Sequence, residues 1–338
     1  SAWPHKQGHG PAPALISAEL AARQVDRRTN CLKARPRHPL PGPGRWHATR
    51  SQTSPVGQLT AHSDWDVYRF GLLVGARAFP RAPLDALKRL VFPVEYIRCA
   101  EFRYVLEHLD VTAEHRVLDI GSPKLLSLFL AGRPSPRVWA TDLVDYSFRA
   151  YASYAESVLG PRRERYLMET QDAQALSYRD ETFDRIFSVS VVEHIPGSGD
   201  TLAVKEMARV LKPGGIVCLT VPWSDRGYLE EFHAPSPSAY WVKSSDQARV
   251  FYQRAYDHDS LHDRLLGHHC LDVVDVSFWG ERRIAVENAL LSPPLPRSTR
   301  HAMLPAHFVL NRLFLSPLTE TECSRKKVAC ITLCKRSN

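Results

Sequence analysis

A regular alternation of short apolar runs and helical patterns between residues 116 and 222 constrains the fold most strongly. The apolar runs are too short to be buried helices, and most are rich in branched or aromatic residues, so each predicts a buried strand. They are Val117–Ile120, Val138–Asp142, Arg165–Met168, Phe183–Val192 and Ile216–Val221. Strands that alternate with helices at this spacing form a parallel sheet with right-handed crossovers. The sequence therefore predicts an α/β fold with helices on both faces of the sheet.

The first of these strands ends in residues that suit a ligand site. Asp119, Gly121 and Ser122 stand where the apolar run gives way to a helical pattern. Glycine has no Cβ, so the backbone can turn sharply there and a ligand can approach closely. The following helix presents unsatisfied N–H groups, and ligands of doubly wound sheets bind outside the carboxyl ends of the strands. The pattern predicts a small-molecule cofactor pocket in which Asp119 supplies a negative charge.

Five motifs follow one another in this region at workable spacing. They are Asp119–Gly121, Asp142, Asp172–Asp184, Val192–His194 and Lys212–Gly215. Together they resemble class I S-adenosylmethionine-dependent methyltransferases, and most closely the group that acts on small molecules and lipids, including quinone-biosynthesis enzymes. The resemblance covers about residues 95–222, and more weakly two further predicted strands, Leu271–Trp279 and Val328–Leu333. It implies a Rossmann-like seven-stranded methyltransferase sheet with an antiparallel last strand, and S-adenosyl-L-methionine as the cofactor.

Several residues at the strand ends are candidate cofactor-binding residues. Asp142 lies 23 positions after Asp119, where a carboxylate can accept hydrogen bonds from both hydroxyls of a ribose. Asp172 is expected to accept from an adenine amino group, with the N–H of Ala173 facing a ring nitrogen. Leu143 would pack on the adenine, as family members do. The alternatives are a strand-end acid or helix cap at position 142, a turn aspartate at 172 and a core residue at 143.

The end of the fourth predicted strand carries Ser190 and His194, beside the expected position of the methionine part of the cofactor. Histidine titrates near neutral pH, so His194 is the candidate catalytic base for a hydroxyl or amine acceptor. A packing or helix-entry role is the alternative for His194, and contact of Glu193 and His194 with a divalent metal is a third. We predict no metal site.

The loop after Gly121 departs from the family pattern, which commonly has glycines at alternate positions. Here Pro123 fixes the backbone and removes an N–H, and Leu125 adds bulk. The predicted function is a methyltransferase acting on a small-molecule or lipid-like acceptor by O-, N- or C-methylation. The alternative is a catalytically degenerate cofactor-binding partner or regulatory protein.

The net charge of +8 is concentrated at one end of the chain. Residues 1–60 hold nine basic and two acidic residues, whereas the remainder holds 35 basic and 34 acidic residues. The near-neutral body argues against a nucleic-acid partner. An RNA methyltransferase that uses the basic arm is a further alternative. A nicotinamide enzyme is disfavoured because the Gly121 loop lacks the spacing of a pyrophosphate turn.

Composition shifts divide the chain into four predicted parts. They are a disordered basic Pro-rich extension (1–60), an N-terminal helical cap (61–115), the cofactor-binding core (116–222) and a substrate or lid region with the last two strands of the core (223–338). The seven cysteines form no CxxC pair, which predicts reduced thiols and a cytoplasmic location. Organelle targeting through residues 1–60 is the alternative. No apolar run approaches the roughly 20 residues of a transmembrane helix.

Overall fold

The computed structural model describes residues 63–121, 125–133, 136–234, 249–267, 270–281, 286, 306–318 and 326–337. The predicted extension 1–60 lies outside these residues, as do Ser122 and Pro123 of the first loop. The four-part division of the chain stays a prediction.

Within the described residues the chain forms ten strands. They are β1 (Arg116–Ile120), β2 (Arg137–Asp142), β3 (Tyr166–Thr170), β4 (Phe183–Val189), β5 (Leu211–Pro222), β6 (Leu229–His233), β7 (Val250–Ala255), β8 (Leu271–Glu281), β9 (Leu315–Leu318) and β10 (Lys326–Lys335). Eight of them make one sheet in the order β3-β2-β1-β4-β5-β10-β8-β9, and β6 and β7 form a separate hairpin. The strands β1 to β5 are parallel, and β10 runs antiparallel to both β5 and β8.

The predicted α/β Rossmann-like sheet with an antiparallel last strand is confirmed, with one difference in strand number. The sheet has eight strands instead of seven because β9 pairs with the outer side of β8. This strand has only four residues and contains Pro317, so it carries little sequence signal. An edge strand tolerates proline, since one side of it needs no ladder hydrogen bonds.

The described residues contain eight α-helices. They are α1 (Asp64–Ala78), α2 (Pro83–Val91), α3 (Tyr96–His108), α4 (Leu125–Gly132), α5 (Phe148–Leu159), α6 (Gly199–Val210), α7 (His258–Leu261) and α8 (His307–Phe314). Local signals set their starts: the Ser63 N–H donates to Asp66 Oδ2 at 2.9 Å, and Pro83 occupies the first position of α2. None of these helices has the length and apolar character that crossing a bilayer requires.

Both faces of the central strands are covered. Alternate residues, such as Val117 and Phe187, enter a large core with helices α1, α3, α4 and α5. The intervening residues, such as Leu118, Ile186 and Leu219, are also fully buried. Burial on both faces explains why these strands read as continuous apolar runs instead of alternating ones.

Helix α2 is held tightly against α1 by two glycines. A Cβ atom on Gly71 would lie 2.8 Å from Pro93 Cβ, and one on Gly75 would lie 2.9 Å from Leu90 Cγ. A larger residue at Gly75 would push α2 away from α1, and one at Gly71 would push away Pro93, which follows α2. The close approach fixes α2 and the segment that leads into α3, both of which line the cavity at the carboxyl end of the sheet.

The hairpin of β6 and β7 lies in a stretch where the sequence shows no regular pattern, and a buried charge cluster attaches it to α6. The carboxylate of Asp200 is fully buried at the start of α6. It pairs with Arg254 of β7 at 2.9 Å and with Arg264 at 2.7 Å, and Tyr256 Oη donates to it at 2.8 Å. Elements more than 50 residues apart are thereby joined through one carboxylate.

Candidate functional site

A cavity of about 550 Å³ opens at the carboxyl ends of β1, β2 and β4. On the sheet side its lining includes Gly121, Asp142 and Ser190, three of the predicted cofactor-binding residues. The remaining lining comes from α2 and α3, the segment between them, Leu125 at the start of α4, Ser147 and α5. It includes Lys88, Arg89, Phe92, Pro93, Val94, Glu95, Arg98, Phe102, Tyr151 and Tyr154. The volume falls in the range of small-molecule sites.

Gly121 has a conformation that requires glycine. Its φ is +61°, and a Cβ atom there would lie 2.7 Å from Val191 Cγ1. Its N–H donates to Thr141 O at 2.8 Å, which holds the turn against β2. The sequence interpretation of Gly121 as a sharp turn at the cavity therefore agrees with its geometry.

Asp119 is fully buried at the end of β1 and is not among the lining residues. Its backbone oxygen accepts from Thr141 Oγ1 at 2.8 Å. Burial raises the pKa of Tyr151, Arg89 opposes this shift, and the negative charge of Asp119 adds to it. Asp119 therefore lies behind the cavity wall instead of in the wall.

Asp142 lines the cavity, and its Oδ1 accepts from the Leu143 N–H at 2.8 Å. Its backbone oxygen accepts from Gln171 N at 2.8 Å, which ties the end of β2 to the loop after β3. Leu143 itself is exposed and lies outside the lining. The ribose role of Asp142 and the packing role of Leu143 both stay predictions.

The structure does not bring Asp172 and Ala173 into this cavity lining. Asp172 is exposed, and its Oδ1 accepts from Gln174 N at 2.9 Å and from Gln174 Nε2 at 3.3 Å. This is an Asx turn, in which the side chain hydrogen-bonds to the backbone two residues on. The geometry matches the turn alternative, and the adenine role of the two residues stays a prediction.

Ser190 lies in a strained backbone position at the cavity and donates to a buried carboxylate. Its φ is +49°, which is uncommon for a residue other than glycine. Ser190 Oγ donates to Glu101 Oε1 at 2.6 Å, Thr220 Oγ1 donates to the same oxygen at 2.7 Å, and Arg98 pairs with Oε2. Because its proton is committed to Glu101, the Ser190 oxygen is left as an acceptor for an N–H or ammonium group.

Sequence reasoning missed Glu101, although a signal was present. Glu101 stands four residues after Ile97 and four before Val105, inside the apolar stripe of α3. A carboxylate in such a stripe must be paired when buried. Its partners come from α3, the end of β4 and β5.

His194 does not line the cavity. Its Nδ1 lies 2.7 Å from Tyr252 O, and its ring makes an edge contact with the Tyr252 ring. Burial lowers the pKa of His194, so the imidazole is neutral at pH 7. The neighbouring Glu193 is fully buried. These contacts match the packing alternative, and a catalytic role of His194 stays a prediction. Among the described residues no group of three or more metal-ligating side chains was found.

Residues 118–219 match a family model described as a methyltransferase domain. The methyltransferase GfsG of Streptomyces halstedii is 32% identical over 118 residues, which are 32% of this chain and 38% of that protein. The chain therefore spans about two fifths of that relative's length. Similar solved structures are the [4+2]-cyclase SpnF (TM-score 0.47, 15% identity, 82% of this chain and 98% of that one) and a methyltransferase from Methanosarcina mazei (0.42, 16%, 68% and 95%).

Residues 118–219 carry a methyltransferase domain, which supports the class I S-adenosylmethionine-dependent methyltransferase that the motifs predicted. S-adenosylmethionine is the cofactor of this class. The donor set at the cavity fits it, because a carboxylate, an acceptor hydroxyl and a glycine turn meet at one sheet edge.

Proposed function

We propose that this protein transfers a methyl group from S-adenosylmethionine to an oxygen, nitrogen or carbon atom of a small-molecule or lipid-like acceptor. The observation that carries the proposal is the cavity at the carboxyl ends of β1, β2 and β4, within the matched domain. When bound, the cofactor supplies an electrophilic methyl group. The protein's task is then to hold the acceptor in line, and orientation of this kind contributes roughly 7–11 kcal/mol to catalysis.

Each sheet-side residue of the cavity has a distinct part in this proposal. Asp142 accepts hydrogen bonds from the ribose hydroxyls, and the Ser190 oxygen accepts from the ammonium group. Gly121 lets the backbone approach the ligand. Arg98 and Glu101 keep the Ser190 hydroxyl in its acceptor orientation.

The opposite wall supports an acceptor with an apolar part. Phe92, Pro93, Val94 and Phe102 contribute apolar side chains to this wall. The near-neutral body of the chain favours such an acceptor over a nucleic acid, which needs a basic face.

We further propose that the protein works in a reducing compartment such as the cytoplasm. The cysteines of the described residues, including Cys99 and Cys218, are free thiols. Burial raises the pKa of each of these two thiols to about 12, so they stay protonated at neutral pH.

Replacing Asp142 by alanine tests the ribose site. We expect the affinity for S-adenosylhomocysteine to fall by about 5- to 150-fold, because a charged hydrogen-bond acceptor worth roughly 1–3 kcal/mol is lost. Titration calorimetry measures this directly. Asp145→Ala is the matched control, since Asp145 is an exposed acid of the same loop and outside the cavity lining. Unchanged affinity in Asp142→Ala would refute the ribose role.

Replacing Gly121 by alanine tests the turn. A residue other than glycine at a φ of +61° costs about 1–2 kcal/mol, and the new Cβ also meets Val191. We expect cofactor affinity to fall about tenfold or more by calorimetry. The double variant Gly121→Ala, Val191→Ala removes the contact but keeps the strain, so it should recover only part of the loss. Full recovery would show that Gly121 serves side-chain packing alone.

A second candidate function is a cofactor-binding protein without transfer activity. It is favoured by Leu125, a bulky residue that lines the cavity where the family loop commonly has glycine. Incubation with S-adenosylmethionine and cell extract separates the two functions by mass spectrometry. Gain of one methyl mass in an acceptor supports transfer, whereas calorimetric binding of S-adenosylhomocysteine without any such gain supports the second function.

A further inference from the structure

Helix α2 presents an apolar stripe on its outer side. Leu84, Leu87 and Val91 follow one another at intervals of three and four residues, so they lie on one face. Their exposed fractions are 77%, 50% and 38%, and Phe79, in the turn before the helix, is also exposed. Isolated exposed apolar residues are ordinary, but a contiguous row on one short helix marks an interaction site.

The opposite side of α2 already packs into the protein. Ala86 is fully buried, and Leu90 lies against the position of Gly75 on α1. The outer stripe is therefore not the helix's contact with its own core. Lys88 and Arg89 of the same helix line the cavity, so the stripe lies beside the cavity.

The charge around the stripe is positive. Residues 77–91 contain four basic residues and one acidic residue. Arg89 is hydrogen-bonded to Tyr151 at the cavity, so the other three basic residues remain against the one acidic residue, a net charge of +2. Arg77 and Arg81 are exposed and flank the N-terminal end of the stripe. A short amphipathic helix with basic residues around an apolar face has the chemistry that binds an anionic lipid surface. A second copy of the chain would bring the same positive charge against it.

We propose that α2 rests on an anionic lipid surface, with Leu84, Leu87 and Val91 in the boundary between head groups and acyl chains. The cavity then opens beside the membrane, where an acceptor with an apolar part is concentrated. The proposal concerns attachment and does not depend on methyl transfer.

Co-sedimentation of the full chain with vesicles tests the attachment. The probes are vesicles of phosphatidylcholine with phosphatidylglycerol, and of phosphatidylcholine alone. We expect binding to the anionic vesicles and a fall of about tenfold or more in the Leu84→Ser, Leu87→Ser variant. Each buried CH₂ group contributes roughly a factor of four to partitioning, and two leucines lose several.

The control variant is Val309→Ser, Leu313→Ser on α8, where the two side chains are 55% and 69% exposed. This variant also replaces two exposed apolar side chains by serine, and it should bind vesicles as well as the unmodified chain does. It also keeps the basic residues of 1–60, so their attraction to anionic lipid cancels in the comparison. Repeating both at about 1 M salt, where the Debye length is about 3 Å, isolates the apolar contribution.

Three results would overturn the proposal: no binding to anionic vesicles, equal loss in the control variant, or a dimer by light scattering that only Leu84→Ser, Leu87→Ser dissociates. The last would assign the stripe to a second copy. Calorimetry with S-adenosylhomocysteine on the same samples keeps the two proposals apart. If Leu84→Ser, Leu87→Ser loses vesicle binding but keeps its affinity for S-adenosylhomocysteine, the change acts through the stripe. If the unmodified chain does not bind S-adenosylhomocysteine, the proposed cofactor site is wrong.

Discussion

Asp200→Ala is expected to lower the free energy of unfolding by about 3–5 kcal/mol, because the fully buried Arg254 loses its close carboxylate partner. The nearest remaining carboxylate in the described residues is Glu230, whose Oε1 lies 3.7 Å from Arg254 Nε, beyond hydrogen-bond distance. Arg264 and Tyr256 lose the same partner. Removing Asp200 therefore weakens the attachment of the hairpin to α6. It also leaves the cost of burying the Arg254 guanidinium without its close carboxylate partner.

Urea unfolding followed by circular dichroism measures this effect. Asp180→Ala is the control, because Asp180 also pairs with an arginine at 2.8 Å but is largely exposed. Its partner Arg209 keeps a second carboxylate, Glu206, so a loss of less than about 1 kcal/mol is expected. Similar losses in both variants would show that the Asp200 cluster contributes no more than a surface ion pair.

The sheet was predictable from the sequence because its central strands are buried on both faces and separated by helices of regular period. The same periodicity placed Gly121, Asp142 and Ser190 at strand ends, and parallel strands bring their carboxyl ends to one edge. Proximity of these three residues follows from topology alone, without any knowledge of side-chain packing.

Contacts between distant segments were not predictable in this way. The carboxylate that holds Ser190 comes from Glu101, 89 positions earlier, and the partner of His194 is Tyr252 on the hairpin. Periodicity shows which face of an element is buried but does not identify what lies against it. The sequence therefore predicted His194 beside the cofactor. In the folded chain its Nδ1 lies at hydrogen-bond distance from the backbone oxygen of Tyr252.

Local competition explains the different position of Asp172. An aspartate two residues before a backbone N–H in a loop readily forms an Asx turn, and Gln174 completes one here. The turn uses Oδ1 of Asp172. The sequence is compatible with both roles, and the adenine role stays a prediction.

Glu193→Gln is expected to remove a pH dependence of stability. Glu193 is fully buried, and burial raises its pKa from the ordinary 4.5 to about 8. Between these values the folded protein holds a proton that the unfolded chain has released. The stabilisation is therefore complete below pH 4.5 and is lost as the pH rises towards 8, by up to roughly 1.4 kcal/mol per pH unit. Glutamine keeps the shape of the side chain and cannot titrate.

The comparison must be made as the difference between the two proteins at each pH. Burial lowers the pKa of His194 and lowers that of His307 to about 4, so both histidines stabilise the folded state as the pH rises towards 6.5. Their opposite slope is common to both proteins and cancels. Glu95→Gln, an exposed acid of the same region, should leave the slope unchanged. If the unfolding free energies of the unmodified protein and Glu193→Gln run parallel from pH 5 to 8, Glu193 is ionised in the fold and neutralised by Arg98.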